Sequence, residues 1–76
     1  MKYIYFGAKW CSPCKQLKPL INSGKYPIIQ KDVDGNLAEA QKYKVRSVPT
    51  LLWIDDDDTV TKRYVGLTDI KTFLTT

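Results

Sequence analysis

Cys11 and Cys14 are the only cysteines in the chain, separated by Ser12 and Pro13. The pair follows a short apolar run, Tyr3-Ile4-Tyr5-Phe6, and opens a segment with helical periodicity. A thiol at a helix start faces backbone N–H groups that lack a partner within the helix, and it faces the positive end of the helix dipole. Both favour thiolate over thiol and so populate the nucleophilic form near neutral pH. A second thiol three positions on is close enough to attack a mixed disulfide formed by the first. Dithiol–disulfide exchange is therefore the first hypothesis. Two other uses of the pair compete with it. A static disulfide would close a ring of four residues, which constrains the unfolded chain little. Zinc would find two thiolates and no histidine anywhere, leaving a tetrahedral site half filled.

The elements that must hold this pair follow from periodicity and turn chemistry. Lys2 to Phe6 reads as a strand with Ile4 and Phe6 on one face and Tyr3 and Tyr5 on the other, hence a central strand covered on both sides. A helix is predicted over 12–22, with Cys14, Leu17, Leu20 and Ile21 inward, Pro13 in its first turn and Pro19 kinking its interior. Gly24 reads as a left-handed cap. A second strand is predicted over 26–33, then a turn at Asp34-Gly35-Asn36. Asp34 or Asn36 is expected to cap a short helix, Leu37 to Tyr43, with Leu37, Ala40 and Gln41 on one stripe. Lys44 to Pro49 form a loop into a third strand, Thr50 to Ile54. Asp55 to Asp58 read as a hairpin tip rather than a cation site, leading to a fourth strand, Thr59 to Val65. Gly66 breaks that strand, and a last helix starts at Thr68 or Asp69 and buries Ile70, Phe73 and Leu74. The order is βαβαββα: a parallel βαβ unit followed by an antiparallel hairpin with a helix packed back, an α/β chain.

A chain of 76 residues predicts one domain, 1–76, with a thin core. No apolar stretch approaches the roughly 18 residues of a membrane span, and the apolar run at the N-terminus is too short for a signal peptide. The expected location is the cytoplasm, where a lone C-x-x-C is more often catalytic or metal-binding than structural. The net charge of +4 is spread along the chain without a basic run interleaved with aromatics, so nothing resembles a nucleic-acid footprint. Lys9, Lys15 and Lys18, with Lys44 and Arg46, give the motif's end a solvated basic face able to steer an acidic partner.

Together these features resemble the thioredoxin family. The resemblance rests on Trp10-Cys11-Ser12-Pro13-Cys14-Lys15 with Pro19 five residues after Cys14, on Tyr43 to Leu52 with Val48-Pro49-Thr50 at its centre, and on Gly66 before the last helix. It implies a four-stranded mixed sheet in the order 2-1-3-4, with the first and third helices on one face and the second on the other. It also implies a minimal form of the fold, near glutaredoxins in size, because the chain begins where full-length thioredoxins already have a strand and a helix behind them. The family reading makes Cys11 the attacking, more exposed thiol and Cys14 the resolving one. Pro49 is the expected cis-proline, which turns the backbone of Val48 toward an extended substrate. Trp10 flanks the attacking sulfur, and Gly66 keeps the rim shallow. Ser12 and Pro13 tune the pair in place of the usual Gly-Pro.

One further departure concerns proton handling. Thioredoxins usually carry a buried aspartate beneath the resolving cysteine and a lysine on the next strand; here those positions read Tyr5 and Gln30. The expectation is that water or the Tyr5 hydroxyl serves instead, with slower resolution. The resemblance implies a monomeric protein-disulfide reductase with no cofactor beyond the Cys11–Cys14 disulfide. Its substrates are protein disulfides, its electrons come from a thioredoxin reductase or glutathione, and it has no nucleic-acid or membrane partner. A glutaredoxin-like enzyme acting on glutathione mixed disulfides is the nearer alternative, and a non-enzymatic partner-binding module the more distant one.

Overall fold

A computed structural model describes all 76 residues. Four strands, β1 (Lys2–Gly7), β2 (Ile28–Asp32), β3 (Thr50–Ile54) and β4 (Val60–Val65), form one sheet in the order β2-β1-β3-β4. β1 pairs parallel with β2 and antiparallel with β3, and β3 pairs antiparallel with β4. The helices α1 (Ser12–Asn22), α2 (Leu37–Lys42) and α3 (Leu67–Thr75) cover both faces. This is the thioredoxin-like arrangement expected from the sequence.

Strand alternation divides the core in two. Ile4 and Phe6 of β1 and Leu52 and Ile54 of β3 pack on one side with Ala40 and Tyr43 at the end of α2. Tyr5 and Leu51 pack on the other with Leu17 and Ile21 of α1 and Ile70 of α3. Tyr3, Tyr26, Tyr64 and Phe73 extend that second side as an aromatic cluster, with ring centroids 4.7–5.5 Å apart. β1 therefore has apolar cover on both faces, which fixes the level at which its C-terminal end delivers the chain to Cys11.

Several boundaries differ from the expectation. β2 is shorter than 26–33 because Val33–Gly35 winds into a 3-10 turn, where the Asp32 carboxylate accepts from the Asp34 N–H at 3.0 Å. α1 does not end on a left-handed Gly24. Ser23 closes it, donating both its N–H and its hydroxyl to the Pro19 carbonyl, while Gly24 is needed because a Cβ there would lie 2.8 Å from the Leu20 carbonyl oxygen. Asn36 stands before α2 without a side-chain cap; its amide donates to the Asp32 carbonyl instead. Of the stripe expected on α2 only Ala40 is buried, whereas Leu37 and Gln41 are exposed, so the six-residue helix covers the sheet with one small side chain plus Tyr43. α3 begins one residue early, at Leu67, from a Gly66 at φ 91°, a conformation that favours glycine.

The aspartate run does form the β3–β4 hairpin tip. Asp55 accepts from the N–H groups of Asp57 and Thr59, Asp56 meets the N-terminal amine, and Asp58 accepts from the Tyr43 hydroxyl and pairs with Lys42. Each of these three carboxylates thus has a structural partner that ties the tip down.

Candidate active site

The site grows from the C-terminal end of β1. Gly7 and Ala8 carry the chain off the sheet, the Cys11 N–H donates to the Ala8 carbonyl at 3.2 Å, and Cys11 takes the N-cap position of α1 with φ −92° and ψ 111°. N-cap side chains ordinarily offer an oxygen to the free N–H groups of the first turn. Here sulfur does so: Cys11 Sγ accepts from the Cys14 N–H at 3.2 Å. Pro13 sits in the first turn, where its missing N–H is no loss, and no acidic side chain there opposes a negative charge on Cys11.

Cys11 and Cys14 are joined as a disulfide, with Cα atoms 5.2 Å apart. Ala8 packs with them, and Val33 and Val48 close over this small cluster. Only 5% of Cys11 and 6% of Cys14 is exposed, so exposure does not make Cys11 the more open of the two, as the sequence reading expected. In the oxidised form each sulfur covers the other. What separates them is the helix start, where the Cys14 N–H donates to Cys11 Sγ.

The remaining expected residues gather around this pair to different degrees. The Val48–Pro49 bond is cis, Pro49 is buried, and its carbonyl accepts from the Gly66 N–H at 3.0 Å. That bond ties Gly66 to the loop carrying Val48. Nothing lies within 4 Å of where a Gly66 Cβ would be, so its glycine answers to backbone conformation and leaves open space above it. Trp10 is 68% exposed, the largest apolar surface beside the cysteines, and its indole Nε1 donates to Asp34 at 3.0 Å. Ser12 is exposed on the first turn of α1.

On the far side of Cys14, a groove of about 430 Å³ runs between α1 and β2. Lys9, Lys15 and Lys18 line it without ion-pair partners, whereas Lys31 pairs with Glu39 at 2.7 Å. Lys44 and Arg46 lie on the loop from α2 to β3 and do not line this groove. Tyr5 and Gln30, the two departures from the thioredoxin pattern, are register partners across β1 and β2 and line it together. Gln30 has a structural use, donating to Asn22 at the end of α1 at 2.7 Å. Tyr5 is buried in the core, and burial pushes its phenol up to about 12.

Two contributors escape the sequence reading. Asp34 reads as a turn residue, yet it holds an indole 24 positions earlier in the chain. Gly7 reads as a connector, yet a Cβ there would lie 2.8–2.9 Å from the edge and hydroxyl of the Tyr5 ring. The i, i+2 spacing of Tyr5 and Gly7 on one strand face is the signal that could have shown the second.

Comparison with known proteins agrees with this geometry. The thioredoxin family model matches residues 2–76. Thioredoxin of Staphylococcus epidermidis is 40% identical, the match covering 82% of this chain and 65% of that protein; thioredoxin of Staphylococcus aureus is 38% identical with the same coverage. The chain thus spans just under two thirds of the length of these curated relatives. Among solved structures, a mutant thioredoxin from Halobacterium salinarum superposes with a TM-score of 0.79 at 34% identity, over 96% of this chain and 67% of that one. A thioredoxin from Nicotiana alata gives 0.78 at 28% identity, over 93% and 65%.

Proposed function

The chain belongs to the thioredoxin family, and from that premise we propose that it is a protein-disulfide reductase working through Cys11 and Cys14. Cys11 thiolate attacks one sulfur of a target disulfide, forming a mixed disulfide and expelling the target's other sulfur as a thiolate. Cys14, deprotonated, then attacks Cys11 Sγ. The second target thiol leaves, and the Cys11–Cys14 disulfide forms. Two electrons pass to the target, and an external dithiol or thiol system, a thioredoxin reductase or glutathione, restores them. The disulfide itself is the redox group, and the reaction needs no other cofactor.

The observation that carries this reading is the N-cap bond from the Cys14 N–H to Cys11 Sγ, made by a pair already joined as a disulfide. A hydrogen bond to sulfur at the helix start stabilises Cys11 as a thiolate, both as nucleophile and as leaving group. The rim residues have parts in the same scheme. Val48 offers its backbone to an extended target segment, with Pro49 and Gly66 holding that loop, and Trp10 gives an apolar landing surface held by Asp34. Ser12 and Pro13 set the shape of the first turn and so tune the couple. The protein acts as a monomer at the protein-disulfide level, in the cytoplasm; no helix is long and apolar enough to cross a membrane.

The test is a pair of variants assayed on a protein disulfide, with thioredoxin reductase and with glutathione plus its reductase as alternative donors. Cys11→Ser abolishes turnover, and Cys14→Ser accumulates mixed disulfides on Cys11. Normal turnover in either variant contradicts these roles. Faster cycling with glutathione would move the assignment to the glutaredoxin-like reading.

A further inference from the structure

Among the buried side-chain oxygens and nitrogens of this fold, the Tyr5 hydroxyl alone has no hydrogen-bond partner. Tyr5 is only 5% exposed, and Gly7 makes room for its phenol. A phenylalanine would fill the same space without the orphaned oxygen, and burying a hydroxyl unpaired costs stability. The hydroxyl thus has no partner within the protein to account for it in the oxidised fold. Its surroundings indicate what it is kept for. Tyr5 and Cys14 line the same groove, and in this form Cys14 Sγ is bonded to Cys11, leaving sulfur a weak acceptor. When a dithiol reductant opens the bond, two electrons enter, the sulfurs separate, and Cys14 becomes a thiol that ionises to a strong acceptor.

We propose that the Tyr5 hydroxyl donates a hydrogen bond to the Cys14 thiolate in the reduced protein, easing loss of the proton from the resolving thiol without accepting that proton itself. The inference rests on the dithiol mechanism above and changes the expectation that Tyr5 relays the proton. Burial holds the phenol protonated far above neutral pH, which rules it out as a base there. The proton leaves to water along the groove. The charged groups facing this space are Lys9 from the loop, Lys15 and Lys18 from α1, and Lys31 with Asp32 from β2. β3 and α3 contribute apolar Leu51 and Ile70 to the packing around Tyr5, and Tyr64 of β4 borders that cluster. The three unpaired lysines favour a thiolate as the hydroxyl does, so the phenol's share must be isolated by substitution.

The experiment titrates Cys14 alone, in a Cys11→Ser background, by the ultraviolet absorbance of its thiolate, with Tyr5 and with Tyr5→Phe. One lost hydrogen bond to an ionised acceptor should raise the Cys14 pKa by about one unit, a tenfold loss of thiolate near neutral pH. A second measurement uses the protein with both cysteines and a chromogenic aryl disulfide. Its first thiol is released on attack by Cys11 and its second on resolution by Cys14. Tenfold less thiolate, offset by the greater nucleophilicity of a more basic sulfur, slows the second release about threefold and leaves the first unchanged. Gly7→Ala retains the hydroxyl but pushes it aside, and should raise the Cys14 pKa in the same direction if Tyr5→Phe does not fold. A Cys14 pKa unmoved or lowered in the substituted protein overturns the inference. Absence of any second release in the unsubstituted protein overturns the dithiol mechanism instead.

Discussion

Replacing Tyr5 by phenylalanine should change how the stability of the oxidised protein responds to alkali. The phenol is buried, without a partner, and pushed up to about 12 from an ordinary value of 10. A folded value above the unfolded one means that the protonated phenol favours the folded state. Its contribution is complete below pH 10 and is lost as pH rises through 12. At 1.36 kcal/mol per unit, a displacement of two units corresponds to about 3 kcal/mol, a large share of the roughly 4–11 kcal/mol expected for a chain of this length. Tyr5→Phe removes this dependence and also removes an unpaired hydroxyl from the core. The variant should be at least as stable as the parent at neutral pH in the oxidised form, with the gap widening by about 2 kcal/mol between pH 10 and pH 12 and reaching about 3 kcal/mol only once the folded phenol is fully ionised. Denaturant unfolding of the oxidised proteins across that range measures both. Tyr3 and Tyr43 are also raised, but they are present in both proteins and cancel in the difference. A gap that stays constant across this pH range would refute the claim that burial of this phenol is coupled to its proton.

Other perturbations test other parts of the structure. Gly24→Ala places a Cβ 2.8 Å from the Leu20 carbonyl oxygen and should cost about 1–3 kcal/mol by denaturant unfolding, with no change in thiol chemistry. Hydrogen bonds from Lys42 and Tyr43 hold the Asp58 carboxyl below its ordinary range. Its contribution is thus complete above that range and fades as pH falls through the folded value, so Asp58→Asn should lose stability at neutral pH and converge with the parent in acid. Trp10→Phe and Asp34→Ala each break the indole–carboxylate bond. Both should lower kcat/KM on a protein disulfide to a similar degree, and the double variant should fall no further than either alone.

Most of this architecture is legible in the sequence because the elements that carry the site are strongly patterned. The alternation Ile4/Phe6 against Tyr3/Tyr5 puts β1 in the middle of the sheet, and the spacing of Cys14, Leu17 and Ile21 sets the inward face of α1. What the sequence hides is decided by contacts between distant positions. The six residues of α2 are too few for periodicity to tell Leu37, exposed, from Ala40, buried. The end of β2 depends on an Asp32 side chain that competes for its own backbone, and Asp34 finds its partner across 24 positions. The relative cover of the two sulfurs is likewise invisible in a C-x-x-C spacing, since in the oxidised form it depends on the sulfurs themselves and on Val33 and Val48. Tyr5 and Gln30 stand out from the family pattern as departures on neighbouring strands, and the register shows them directly opposite each other.

The most direct measurement of the central claim is an equilibrium titration of the Cys11–Cys14 couple against a dithiol–disulfide buffer, with the thiols counted and the fold followed in the same samples. A redox-active pair gives one reversible two-electron transition between disulfide and dithiol, with the sheet and helices retained on both sides of it. A disulfide that yields only when the chain unfolds would contradict that claim, and would make the bond a structural clasp.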